Sequence, residues 1–374
     1  MNSDQSRAEM LLVLLRAALG NDISEAEGHL SSTTPINWAE IYRYAAQQGV
    51  LAIAWDGINA LYNSGKLSAE QMPARALKLQ WALSSEKLAA RYRQQREVLK
   101  RLATVYAKEG IRLTVLKGYG LSLCYPIAEH RECGDIDIWL DGEQQRADDI
   151  LRQRFNIDID VDKHHHTVFH IDGVMIENHY DFLNVHAHTS NRDIERELKQ
   201  RVSINAEAIN IDDATIYLPN VDCHALFLIR HAAAHFAAAE IVLRHIIDWA
   251  MFVKRYHDKM DWVWLYDVCR RHNMDRFLDV QNIIAIEVFG IDASYFPAIT
   301  RRESLEKRIF NDIISPEFSE KMPQHGRLRI AMFKLRRWMA NRWKHRLVYR
   351  ENLVHTFVVQ LWSHMIKPNI ANKH

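Results

Sequence analysis

Residues 131–140 read RECGDIDIWL, an alternation of acidic and apolar side chains that a β-strand separates onto two faces. Ile136 and Ile138 share one face, and Asp135 and Asp137 share the other, about 7 Å apart by the rise of two residues. Like charges placed that way are unfavourable unless water or a cation neutralises them. The neighbouring chain supports the strand. IRLTVLKG at 111–118 is a β-like run ending in glycine, EQQRADDILRQRF at 143–155 has helical spacing, and HHTVFHIDGVMIENHYDF at 165–182 reads as a hairpin. Asp172-Gly173 supplies its two-residue turn.

Outside this stretch the apolar residues return at helical spacing. AEMLLVLLRAAL and WAEIYRYAAQQGVLAIAWDGINALY precede it, and a long helix is predicted from Ala82 to Lys108, ended by Gly110. Beyond His186 come NRDIERELKQR, DCHALFLIRHAAAHF, EIVLRHIIDWAMFVKRY and WVWLYDVCRRHN, with ATIYLP at 214–219 as one extended interruption. The expected class is α+β. A small mixed β-sheet core at 106–185 is flanked by a helical N-terminal region, 1–105, and a helical C-terminal region, 186–374. With 13 glycines and 8 prolines there is no linker composition, so the three regions are expected to pack as one body.

Hydrophobic residues at 48% and charged residues at 25% are those of a water-soluble globular chain. MNSDQSRAEM carries acids where a secretory leader needs a basic start and an apolar run, so a cytoplasmic location is expected. The most apolar window, 223–243, is broken by Arg230, His231, His235 and Glu240 and falls short of a membrane span; a buried helix is expected there. Four cysteines without a CxxC pair argue against a disulfide framework and against cysteine-bound zinc. A net charge of +1 argues against a protein that coats nucleic acid. The charge is uneven, however. From Arg327 to Arg350 there is no acid, while Arg329, Lys334, Arg336, Arg337, Arg342, Lys344 and Arg346 interleave with Phe333, Trp338 and Trp343. Leu328, Met332, Leu335, Met339 and Trp343 recur at helical spacing, so one face is expected to be buried. The basic face at 327–350 is then either solvated or the seat of an anionic partner, RNA, DNA or membrane.

The hairpin supplies a third acid. Met175, Glu177 and His179 share a face, and if their strand lies beside the one at 135–139, Glu177 joins Asp135 and Asp137 on one surface. Three convergent carboxylates suit Mg²⁺ or Mn²⁺, which keep waters that phosphate oxygens replace. Two such ions about 3.5 to 4 Å apart activate attack on a nucleotide's α-phosphate and steady the leaving pyrophosphate. In VLKGYG, Gly118 and Gly120 let backbone N–H groups approach a triphosphate and Lys117 adds a point charge. Arg131 is a second candidate phosphate clamp. His231 and His235 lie four apart on one helix, with Arg244 and Asp248 on the next. Three readings are open for them: a metal pair with Asp248, a polar lining that orients substrate, and a buried hydrogen-bonded network. In KHHHTVFH at 163–170, consecutive histidines alternate in direction, so a surface strand edge is expected, with Lys163 and the histidines near phosphate.

The order LKG, YP, Arg131, GDIDIWL and IEN resembles the bacterial family of uncharacterised nucleotidyltransferases, a branch of the DNA polymerase β-type superfamily. The resemblance extends over most of the chain, including RHAAAHF and LRHIIDW. It implies a nucleotidyltransferase-type sheet core, with metal-binding roles for Asp135, Asp137 and Glu177 and a phosphate-loop role for Gly118. Tyr119 departs from the pattern, which has a small residue there. The implied activity is metal-dependent transfer of a nucleoside monophosphate from a nucleoside triphosphate to a hydroxyl-bearing acceptor, a small molecule, protein or RNA. Glu177 would complete the ion nearer the nucleophile and assist its deprotonation. Removing both aspartates is expected to leave folding intact, because acids on an exposed sheet face contribute little packing. The alternative is a non-catalytic nucleotide-binding or regulatory protein that works through the basic C-terminal helix. A histidine-aspartate phosphohydrolase centred on His231 and Asp248 is a third possibility, and it requires a transition metal.

Overall fold

The computed structural model describes residues 3–21, 36–161, 165–186, 188–238, 241–320 and 322–351; Lys163, His164 and Glu240 lie outside them. Among the described residues, the N-terminal region holds α1 (Ser3–Ala18), α2 (Trp38–Gln47), α3 (Leu51–Asn63) and α4 (Arg75–Lys108). α2 and α3 are separate because Gly49 turns the chain at φ 66°, a conformation glycine adopts without strain. α4 begins seven residues before the predicted start at Ala82 and ends, as predicted, before Gly110, whose φ is 69°. Its 34 residues join two cores. Trp81 is sealed in the helical core with its indole N–H on the Leu51 carbonyl at 2.8 Å, whereas Leu99, Leu102 and Tyr106 pack under the sheet.

The sheet is mixed and seven-stranded. Its strands are β1 (Thr114–Val115), β2 (Ile136–Trp139), β3 (Ile159–Asp160), β4 (His166–Ile171), β5 (Val174–His179), β6 (Glu207–Ile211) and β7 (Ala214–Leu218). The spatial order is β3-β4-β5-β2-β1-β7-β6. Two pairs, β2/β5 and β1/β7, are parallel and the rest antiparallel. The short α5 (Tyr119–Ser122) follows β1, and α6 (Gln144–Phe155) follows β2. Asp172 and Gly173 close the β4/β5 hairpin with φ of 50° and 76°, as its Asp-Gly turn requires. The ATIYLP interruption becomes β7, so the sheet extends to residue 218, beyond the 106–185 stretch.

Alternation along these strands decides what faces what. Ile136, Ile138, Val174 and Ile176 bury against α4 and α6. Asp137, Trp139, Glu177 and His179 occupy the opposite face, where Trp139 stacks on Phe182 at 4.5 Å in the helical core. That core is built by α1 to α3 and by α7 (Thr189–Arg201), α8 (Val221–Ala238), α9 (Leu243–Tyr256), α10 (Trp262–Arg271), α11 (Asp275–Glu287) and α12 (Glu303–Ile314). Of the apolar window 223–243, residues 223–238 lie in the largely buried helix α8, Leu243 begins α9, and 239–240 fall outside the described residues. The charge within α8 is accommodated because Arg230 donates to Asn191 Oδ1 at 2.5 Å and lies over the Tyr349 ring. Among the described residues no helix is long and apolar enough to cross a membrane.

The basic stretch forms α13 (Arg327–Ala340) and α14 (Arg342–Val348). Its predicted apolar face is not buried against the described residues: Leu328, Met332, Leu335 and Met339 are 75, 55, 51 and 46% exposed. Helical spacing collects these side chains on one face, but a neighbour is needed to cover it. Lys344, by contrast, is buried and paired with Asp312 at 2.5 Å, so part of the basic run is structural.

α1 and α3 meet at Gly57, where an added Cβ would lie 2.0 Å from the Leu14 carbonyl oxygen. Gly57→Ala gains up to about 1 kcal/mol of helix propensity. Overpacking against a backbone costs about 1 to 3 kcal/mol and dominates. The variant is therefore expected to unfold at lower urea concentration than the parent; equal or greater stability would rule out this contact.

Candidate active site

Parallel pairing of β2 with β5 sets Asp137 directly opposite Glu177. Residues paired across a sheet share a face, so the third acid stands beside the Asp-x-Asp motif. Asp137 is fully buried, and two cations answer its charge. Lys117, just past β1, places Nζ 3.1 Å from Asp137 Oδ1, and His179 places Nε2 3.0 Å from the same oxygen. The other oxygen, Oδ2, is buried without a hydrogen-bond partner. Burial pushes the Asp137 carboxyl up, but Lys117 and the His179 hydrogen bond outweigh it and hold it below the usual carboxylate range. Asp135, half-buried just before β2, is shifted upward, first by burial and then by the Asp137 charge.

His179 is bound on both sides. Nδ1 lies 3.1 Å from the Asp181 carbonyl, and Nε2 also approaches Glu177 Oε2 at 3.5 Å. Burial lowers its pKa, but the hydrogen bonds to Asp137 and Glu177 raise it further, to about 9. His166, paired with His179 across the β4/β5 ladder, faces Glu177 Oε1 at 3.6 Å. Burial takes its pKa down to about 4, leaving it neutral. Of the KHHH run, Lys163 and His164 lie outside the described residues, while His166 is buried on β4 rather than at a surface edge; β3 pairs further along that strand, at Val168 and Phe169. Among the described residues, two groups bring potential ligand atoms within 4.8 Å of one another: Asp137 with Glu177 and His179, and His165 with His166 and His179. Asp135 belongs to neither group.

A cleft of about 360 Å³ opens beside this cluster. Lys117, Gly118, Arg131, Asp135 and Asp137 line it from the sheet side, and His231, His235, Arg244 and Asp248 from α8 and α9. Residues as far apart in sequence as Lys117 and Gln281 thus meet in one cavity. Glu177 is not on its wall but one strand further, beyond Asp137. Gly118 turns the chain at φ 55°, and a Cβ there would press on the Asp135 carbonyl oxygen at 3.3 Å, so glycine keeps the loop against the motif. Gly120 does not face the cleft. A Cβ there would meet Leu218 at 3.1 Å, so its smallness serves packing against β7.

Arg131 differs from its predicted role as a phosphate clamp. It is buried, and it donates through Nε and Nη2 to both Asp248 oxygens, at 3.0 and 2.7 Å, and through Nη1 to the Glu132 carbonyl. Tyr125 adds a 2.7 Å hydrogen bond to Asp248 Oδ1. The guanidinium is spent on tying the loop before β2 to α9, and Asp248 is equally committed, which removes it from any metal pairing with His231. Arg244 remains as the cleft's arginine: Nη1 donates to the Glu132 carbonyl at 3.0 Å, while Nε is buried without a partner. His231, His235 and His245 cluster with ring separations of 4.4 to 6.2 Å. Burial, reinforced by Lys117 and Arg244, lowers His231 and His245, so the inner wall opposite the acids is neutral imidazole, while His235 stands at the exposed rim. Sequence reasoning missed His179 and His245 as site residues, and gave His166 only a strand-edge position near phosphate. Period two from Glu177 pointed to His179, and ladder register then leads to His166; His245 gave no local signal.

The fold thus brings to one cleft an Asp-x-Asp motif at the start of β2 and a glycine turn, with a third acid on the adjacent parallel strand. Residues 34–290 match the family described as uncharacterised nucleotidyltransferase, and the chain belongs to that family. Its fold is α+β, and membership supports a nucleotidyl-transfer function. No curated protein matches the sequence. Among solved structures, the chain is similar to an antigenic nucleotidyltransferase-like protein from Paracoccidioides brasiliensis, at 11% identity and a TM-score of 0.34, over 54% of this chain and 95% of that one.

Asp248→Asn leaves the Arg131 charge buried and uncompensated, which costs about 3 to 5 kcal/mol. Burial raises the Asp248 carboxyl, but Arg131 outweighs it, so the folded pKa is depressed. A depressed carboxyl contributes stability that is complete above its unfolded value, about 3.9, and lost as pH falls through the folded value. Urea titrations should show the large Asp248→Asn deficit at pH 7 and a smaller one at pH 3; a deficit under 1 kcal/mol at pH 7 would contradict the pairing.

Proposed function

We propose that this protein transfers a nucleoside monophosphate from a nucleoside triphosphate to a hydroxyl-bearing acceptor, with divalent Mg²⁺ or Mn²⁺ as cofactor. The observation that carries this reading is Asp137 paired with Glu177 on one sheet face, beside a cleft that Asp135 and Asp137 line together with Lys117, Gly118 and Arg244. The working core is 106–185 with the added strands β6 and β7, held between the helical regions 1–105 and 186–374. The residues fit a divalent cation: Asp137 Oδ2 is a buried oxygen without a partner, and Glu177 and His179 bring further donors within 4.8 Å. Such a cation polarises an α-phosphate oxygen and orients the triphosphate.

The chain's own groups do the rest. Lys117 is kept charged by the three carboxylates around it despite burial, and Arg244 adds a second cation across the cleft; together they suit the β- and γ-phosphates. Gly118 lets the backbone approach those phosphates without a side chain intervening. The acceptor oxygen forms its bond to the α-phosphorus as the bond to the β-phosphate bridge breaks, and pyrophosphate leaves. Asp135, the half-buried carboxylate on the cleft wall, is placed to take the hydroxyl proton, a role the sequence reading gave to Glu177. Neutral His231 and His235 offer a hydrogen bond to acceptor or ribose without adding charge. The exposed cations of 327–350 are available to an anionic acceptor or partner.

Asp137 is too buried for the double-aspartate variant to leave folding untouched, since Lys117 and His179 would lose their counterion. Asp135→Asn is the cleaner probe. With α-labelled nucleoside triphosphates, divalent metal and a panel of hydroxyl acceptors, it should lower transfer and pyrophosphate release by at least about 100-fold while the melting temperature stays near the parent's. Unchanged transfer would overturn the assignment. Metal-dependent nucleotide binding without turnover on any acceptor would favour the non-catalytic alternative.

A further inference from the structure

The acidic group at Asp137 is not all oxygen, and the nitrogen within it is held as a metal ligand is held. His179 Nδ1 sits 3.1 Å from the Asp181 carbonyl. A hydrogen bond from one ring nitrogen to a backbone carbonyl fixes the tautomer and aims the other nitrogen, the usual outer support of a coordinating histidine. The aimed nitrogen, Nε2, lies 3.0 Å from Asp137 Oδ1 and 3.5 Å from Glu177 Oε2. Donors bound at about 2.0 to 2.2 Å to one ion stand about 3 to 3.5 Å from each other, so these separations are the edges of a coordination polyhedron. Beyond Glu177, the neighbouring strand brings His166 Nε2 to 3.6 Å from Oε1, and His166 Nδ1 is buried without a partner. Two carboxylates with imidazole nitrogen in reach form a donor set of borderline softness. Mg²⁺ favours oxygen alone, whereas Mn²⁺, Co²⁺ and Zn²⁺ accept imidazole.

We propose that His179 is a direct ligand of the divalent cation held by Asp137 and Glu177, and that the site therefore selects a transition-metal dication over Mg²⁺. This rests on the reading that those carboxylates bind a cation at all. Coordination forms a metal–Nε2 bond, and any proton on Nε2 passes to solvent.

The test uses the full-length, tag-free chain stripped with chelator and reloaded with Mn²⁺. Electron spin-echo spectra should show ¹⁴N modulation from imidazole, and growth on ¹⁵N-histidine should alter it without any mutation. His179→Gln should abolish the modulation and narrow the Mn²⁺-over-Mg²⁺ preference, measured by competition calorimetry, by about 10- to 100-fold. His166→Gln, which removes an imidazole near Glu177 but outside that donor group, should leave the His179 modulation in place. With 20 histidines in the chain, Asp137→Asn is the control for nitrogen signals from elsewhere and should lose both binding and modulation. Mn²⁺ bound in wild type and lost in Asp137→Asn, but without nitrogen modulation, would overturn the histidine ligand and leave the carboxylate site standing. Wild type that binds Mn²⁺ no better than Asp137→Asn would overturn both.

Discussion

Asp137 is a carboxylate with no access to water, and a charge so placed survives only with compensating charge in contact. Lys117 and His179 supply it, one from the turn after β1 and the other from the end of β5. This requirement constrains the sheet. β1 and β5 must flank β2 on opposite sides, and β5 must run parallel to β2 so that Glu177 and His179 fall on the Asp137 face. The apolar half of the alternation, Ile136, Ile138 and Ile176, locks the same strands onto α4. Structural burial and chemical display are thus two faces of one register, and a slip of one residue would exchange them.

The cleft needs a second wall, and a second buried charge pair aligns it. Arg131 and Asp248 join the loop before β2 to α9 through two direct hydrogen bonds, so α9 carries Arg244 and His245 to the cleft, where they meet His231 and His235 of α8. An apolar contact of equal volume would stabilise as well or better. What it lacks is direction, because two parallel hydrogen bonds fix the relative orientation of loop and helix. α4 steadies the same loop from the other side, with Arg91 donating to the Gly134 carbonyl and Gln95 to that of Cys133. The motif is clamped between a helix under the sheet and a helix across the cleft.

What could be read in the sequence was what local periodicity encodes. The strand at Asp135, the hairpin at Asp172-Gly173 and the shared face of Glu177 and His179 follow from a two-residue period and a turn that demands positive φ. Partnership over long separations was illegible. Arg131 resembles a phosphate ligand until Asp248, 117 residues later, occupies its guanidinium. His166 of the KHHH run resembles an edge residue until the β4/β5 ladder buries it beside Glu177. Two glycines in YG-containing VLKGYG look alike, yet only Gly118 lies against the motif, because Leu218 of β7 fills the space beside Gly120. On α13 the spacing found an apolar face correctly but could not say whether a neighbour covers it.

Tyr119 shows why one departure from the family pattern is tolerated. A small residue after the turn glycine would be required if that side chain pointed at the nucleotide. Here the chain leaves Gly118 at φ 55° and enters α5, and this swings the Tyr119 ring behind the sheet, where it stacks on Tyr92 of α4 at 5.0 Å. The ring belongs to the core shared by Val115, Ile136 and Leu99. Ser122 reinforces the arrangement, donating to the Tyr119 carbonyl at 2.6 Å within 3.1 Å of the Tyr92 hydroxyl. The tyrosine ring therefore stays out of the cleft, whose lining includes Lys117 and Gly118 but not Tyr119. Its bulk is used on the far side, where α4 passes beneath the turn and where a smaller side chain would leave a void under the loop that holds Lys117 against Asp137.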